Sequence, residues 1–378
     1  MTTTKNNEHK KLNVPNLRFK EFQGEWEELG LSELLDFKNG LNPKPDKFGK
    51  GIKFISVMDI LNNAVITYDC IKASVDVTEK ELSDFSVEKG DILFQRSSET
   101  LEDIGRANVY MDDKTAIFGG FVIRGKKKGE YDPQYFNYLL RSPFARKRII
   151  PMGAGAQHFN IGQEGLSKVK LHFANIEEQK KIGNFLSLLD ERIATQNKII
   201  DKLQSLIKGI AHKLFQTART TKPLLEFAPN ITSGTDKSGS GTIIPLYGST
   251  GIIGTVKNAS QNGNIVLVAR VGTIGAVQYV NEPCGVSDNV LIVEAGEMTK
   301  YIYHFLKTYN FARITSGTTQ PLITASSLKK VAIPTYDIES QTRIVLCLNS
   351  LEKKLDIAKQ YLSEIAVMKQ YLLRQMFI

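Results

Sequence analysis

Two sets of polar side chains stand at matching places in this 378-residue chain. The first is Gln95, Arg96, Ser97 and Ser98, followed by Arg106 and then by Gln157, His158 and Asn160. The second is Tyr247, Arg270 and Thr273, followed by Thr318, Thr319 and Gln320. Their chemistry is hydrogen bonding rather than bond making. Arginine offers a planar donor fork, glutamine and asparagine a donor beside an acceptor, and serine and threonine a hydroxyl. These are the groups that contact base edges, while lysine and arginine charges suit phosphates. Any one of them alone reads as a solvated loop. What sets them apart is that both halves of the chain place polar residues at corresponding positions.

The charge balance agrees with an anionic partner. The formal net charge is +9, and the cations are clustered. Arg124, Lys126, Lys127 and Lys128 form one group, and Arg141, Arg146, Lys147 and Arg148 another. Arg313, Lys329 and Lys330 join Arg270 in the second half.

Motifs for catalysis are missing. The chain has no GxxxxGK[ST] phosphate loop, no HExxH metal pair and no Asn/Asp-Pro-Pro-Tyr/Phe stretch of the kind amino-methylating enzymes carry. Glu178 and Lys180 spell the Glu-x-Lys of many nucleases, but on a helix with no strand expected before it. No metal site is expected, and no cofactor. Cys70, Cys284 and Cys347 lie far apart with no CxxC. That usage fits a reducing cytoplasm, and no apolar run is long enough for a membrane span.

The elements that position these sets are announced by a repeat. Shifted by 162 residues, positions 171–179 fall on 333–341, and the match runs on to Leu214 and Phe215 against Met376 and Phe377. Each copy opens a long helix. Ile182, Leu186, Leu189, Ile193, Gln196, Ile200, Leu203, Ile207, Ile210 and Leu214 follow alternating steps of four and three. So do Ile344, Leu348, Leu351, Leu355, Ala358, Leu362, Ile365, Lys369, Leu372 and Met376. That is the a/d seam of a coiled coil, and each copy supplies the other's partner. Asn175 and Asp337 are placed to cap the two helices.

The remaining sequence predicts short strands with turns between them, a short helix over 29–37, a lysine-rich loop at 44–53, a strand at 65–68 and a helix over 135–148 broken at Pro143. Residues 224–227 match 34–37, residues 263–270 match 90–96 with one residue more, and 274–276 match 104–106. The expected fold is α+β, with an internal pseudo-two-fold repeat. Residues 1–175 and 217–336 are two related globular domains, and 176–216 and 337–378 are two long coiled-coil helices.

In these motifs the chain resembles the specificity subunit of type I restriction–modification systems. Residues 15–19 with Gly24, Glu25 and Trp26 resemble the family's usual start, and residues 176–182 and 338–344 resemble the entries to its two conserved helices. Residues 247–254, 270–273 and 287–289 are similar to a common type of target-recognition domain. The resemblance implies two target-recognition domains, each reading half of a split site in double-stranded DNA, with the helices forming an antiparallel coiled coil that sets the spacing. It implies a non-catalytic chain that docks two modification subunits, which bring S-adenosylmethionine and methylate adenine. Restriction subunits bring ATP, Mg and cleavage. The competing readings are a free-standing DNA-modifying enzyme and a coiled-coil scaffold.

Overall fold

The computed structural model describes residues 13–155, 157–239, 243–317 and 321–378. Its two longest elements are the helices Ile176–Gln216, of 41 residues, and Ile338–Gln375, of 38. Both begin where the sequence places their caps. Asn175 Oδ1 accepts from Glu178 N at 2.9 Å, and Asp337 Oδ1 accepts from Ser340 N at 2.8 Å. These bonds satisfy backbone donors that the first turn leaves open. Every seam position named above is buried or half-buried; none is exposed.

Contacts divide the chain into two compact units, residues up to Gln196 with Tyr361–Ile378, and Asn197–Gln360. Each unit therefore holds the start of one long helix and the end of the other. In the first unit Ile182, Leu186 and Leu189 share a core with Ile365, Leu372 and Met376. In the second, Ala211 and Phe215 share a core with Ile344 and Leu348. The helices run antiparallel, so contacts cut across the four-part division that the sequence suggests.

The two units are built on the same plan. In the first, an antiparallel four-stranded sheet has the order Leu35–Asn39, Val122–Lys127, Ile92–Gln95, Ala107–Val109. In the second, Thr232–Ser233, Val290–Val293, Ile265–Ala269 and Val277–Val280 repeat that order. A second sheet in each unit contains one parallel pairing, Phe54 with Ile117 and Leu246 with Gly285. The aromatic core repeats too. The Tyr135 ring lies 5.5 Å from Phe377, and the Tyr301 ring 5.5 Å from Phe215. A globular domain is thus closed by the far end of the other half's helix.

Several local expectations are corrected. The helix over 29–37 is a single turn, Leu31–Leu34, between the strands Glu27–Gly30 and Leu35–Asn39. Leu34 and Leu35 are both buried, and a lone turn between strands reaches both core faces. The lysine-rich stretch is a 3-10 turn, Pro45–Lys47, and a strand, Phe48–Ile55, paired with Ser74–Val75 on one side and Ala116–Phe118 on the other. The strand at 65–68 shrinks to one bridge at Ile66, with a 3-10 turn Tyr68–Cys70 following. Pro143 does break its helix, into Pro133–Arg141 and Pro143–Ile149. The repeat alignment also shifts. Leu31 N donates to Val169 O at 2.9 Å and Leu224 N to Val331 O at 2.8 Å. Leu224 is therefore the counterpart of Leu31, three residues earlier than the sequence match.

Candidate nucleic-acid interface

Arg96 and Arg270 occupy one backbone position in two copies. Arg96 N donates to Phe121 O and Arg270 N to Asn289 O, both at 2.9 Å. Arg96 O accepts from Ile161 N and Arg270 O from Ile323 N, both at 3.0 Å. The residue before each, Gln95 or Ala269, accepts through its carbonyl from a glycine amide, Gly105 at 3.1 Å or Gly275 at 2.9 Å. Both glycines have positive φ, +63° and +77°, and a Cβ at either would strike Ile149 or Phe311 at under 3 Å. Glycine is required for the turn and for the close approach. A strand end, a glycine turn and a hairpin thus hold each arginine by its main chain, and the Arg96 side chain also donates from Nη1 to Gly120 O at 3.3 Å.

The hairpins match as well. Ala154 pairs with Asn160 and Ser316 with Leu322. Gly155 and Gly317 follow with positive φ of +143° and +95°. In the first unit the hairpin lies against the polar set, with Phe159–Asn160 paired to Ser97–Ser98. Ser97 Oγ donates to Asn160 Oδ1 at 2.5 Å, and Ser98 Oγ accepts from Thr100 N at 3.2 Å. Gln157 and His158 are exposed at the hairpin tip. Thr318, Thr319 and Gln320 lie outside the described residues.

In the second unit, three stretches far apart in sequence converge. Ser287 N donates to Tyr247 O at 3.0 Å, Ser249 Oγ to Val271 O at 3.0 Å, and Gln278 Nε2 to Gly248 O at 2.8 Å. Thr273 is exposed. Tyr247 Oη donates to Glu282 at 2.8 Å, and burial followed by that carboxylate pushes the phenol up to about 12, which keeps it a proton donor. Arg270 Nε is buried with no hydrogen-bond partner.

Some cations and amides take other places. Gln95 is only 5% exposed, and its Nε2 holds Ser97 O at 2.9 Å; its side chain shapes the loop. Arg106 pairs with Asp103 at 2.6 Å. Arg124 is buried and donates to Ser86 O. Sequence reasoning missed Phe121 and Met58, which are 68% and 60% exposed and rim a recess of about 430 Å³ that Ser97 also lines. A strand, Lys170–Phe173, does precede Glu178, against expectation. Yet the Glu178 carboxylate is fully buried, bound by Arg18 Nη2 and Nε at 2.7 Å. A carboxylate neutralised in this way is a structural clasp. Among the described residues no group of three His, Cys, Asp or Glu side chains could hold a metal, and no helix is long and apolar enough to cross a membrane.

Two copies of one α+β plan, each presenting an arginine beside a hairpin and each closed by an antiparallel helix pair, define a duplicated recognition scaffold. The chain belongs to the family of the type I restriction modification DNA specificity domain, whose model matches residues 23–205 and again 213–367. It is 28% identical over 212 residues to a protein named as the putative type I restriction enzyme MjaX specificity subunit of Methanocaldococcus jannaschii, covering 55% of this chain and 49% of that one. It is 21% identical over 220 residues to the type I restriction enzyme EcoKI specificity subunit of Escherichia coli, covering 55% and 46%. The chain spans about half the length of the curated relatives it matches. In fold it is similar to the crystal structure of the type I restriction–modification S subunit from M. genitalium, with a TM-score of 0.65, 20% identity and 97% and 99% of the two chains covered.

Proposed function

We propose that this chain is the sequence-reading subunit of a type I restriction–modification complex, with each unit reading one half of a bipartite target in double-stranded DNA. The observation that carries this reading is the equivalence of Arg96 and Arg270, two donor forks held identically by main-chain bonds on two copies of one scaffold. A recognition loop needs that arrangement, because a fixed backbone lets side chains vary without loss of fold. The chain carries no reaction of its own. Two modification subunits bring S-adenosylmethionine, and restriction subunits bring ATP and Mg. The cytoplasm is the compartment that holds DNA and reduced thiols together.

Methylation mapping in cells with and without the chain tests this. Expected is a split adenine-methylated motif that disappears when the chain is removed. Replacing residues 1–170 with the matching region of a relative should change one half of the motif and leave the other. A motif that persists without the chain, or two halves that change together, refutes the proposal.

A further inference from the structure

A second basic site lies outside the reading loops. In the first unit a recess of about 410 Å³ opens between the 101–106 turn, the helices Pro133–Arg141 and Pro143–Ile149, and the last turns of the second long helix. Arg106, Arg141, Arg146 and Lys369 line it, with Glu102 as the lining carboxylate. Two of these cations are already matched, Lys369 by Asp190 and Arg106 by Asp103. The other two form no ion pair among the described residues. Arg141 Nη2 reaches Asn63 O at 3.2 Å, and Arg146 Nη2 reaches Glu102 O at 2.9 Å and Ile104 O at 2.5 Å. Arg146 Nη1 is buried with no partner. Burial, and then the charge of Arg106, push the Arg146 guanidinium down to about 10.

A buried guanidinium with an empty donor is costly unless an anion meets it. Arg141 and Arg146 both line one recess, and planar forks suit a tetrahedral oxyanion, which offers several acceptors at once. The place is also apt. Arg106 O accepts from Gln95 N at 2.7 Å, so the recess wall is the same turn that fixes Arg96. We propose that this recess is a phosphate-binding site built on Arg141 and Arg146, taking either a backbone phosphate of the bound duplex or a free phosphoanion. The duplex source rests on the DNA-reading function; the site itself does not.

The test uses the purified full chain. Inorganic phosphate, against chloride at matched ionic strength, should raise the melting midpoint by roughly 3 °C at tenfold excess over its Kd. Arg146→Gln should abolish the rise. Glu102→Gln should tighten phosphate binding by removing the lining negative charge, and this exposed position keeps the test open if Arg146→Gln does not fold. No phosphate-specific rise in the unaltered chain, or an unchanged affinity in Glu102→Gln, overturns the proposal. Loss of modification-subunit binding in Arg146→Gln without any phosphate effect overturns it in favour of a protein carboxylate. Duplex binding then separates the sources. A fall of about one in the salt slope of Arg146→Gln, with free phosphate competing, assigns the backbone phosphate. An unchanged slope beside an intact phosphate effect assigns the free anion and leaves the split-target function standing.

Discussion

Replacing Arg270 with alanine tests the proposed recognition role of one side chain. The main-chain bonds to Asn289 and Ile323 do not depend on the side chain, and the half-buried residue forms no ion pair among the described residues. The fold should therefore lose little, within about 0.5 kcal/mol. A bidentate contact to a base edge contributes about 1–3 kcal/mol of discrimination, so affinity for the cognate duplex should fall about 5- to 150-fold. Arg96→Ala should cost a similar amount at the other half-site. Because the two arginines sit in separate units, the double variant should add the two losses to within about 0.5 kcal/mol. Duplex affinity at fixed salt and mapping of methylated sites in cells provide the assay. Arg270→Ala should relax one half of the motif only. Lys198→Ala, an exposed change on the first long helix, should leave both halves intact. Relaxation of both halves by one arginine, no change at all, or an equal effect of Lys198→Ala would show that the matched arginines are not the readers.

Phe377→Ala and Phe215→Ala should each destabilise the unit that the ring closes by about 3–5 kcal/mol in denaturant melts, since each leaves a cavity beside a buried tyrosine. Seven residues inserted after Gln196 and seven after Ala358 keep the seam in register and lengthen it by about 10 Å at 1.5 Å per residue. The gap between methylated half-sites should then grow by about three base pairs at roughly 3.4 Å each; an unchanged gap in an active complex would show that the helices do not set it. His304 is 3% exposed and hydrogen-bonded to Asn349 at 2.8 Å, and burial lowers its pKa below 6.5. The unfolded chain then binds the extra proton, so stability is full above about pH 6.5 and falls as pH drops below it. His304→Gln should flatten that dependence, and an unaltered pH profile would discount the histidine.

The long helices were legible in the sequence because their determinants are local or periodic. A capping residue, a sustained heptad seam and the absence of proline specify a helix wherever it is placed, and a 162-residue repeat specifies that there are two. The matched polar sets were legible as composition and as corresponding positions. Core closure was not. Only the folded structure carries Phe377 to Tyr135 and Phe215 to Tyr301, because those contacts join residues more than 80 apart, and nothing local encodes which end of a helix meets which domain. The same holds for the roles of individual polar groups. Gln95 and Arg96 are neighbours of equal promise in sequence, yet one amide is turned into the loop and the other side chain is carried on a strand end. Arg146 belonged to a basic cluster; tertiary packing left one of its donors buried and empty. Sequence determines which groups a chain possesses and how its helices repeat, whereas burial and hydrogen-bond partners depend on residues far apart in the chain and are decided only when it folds.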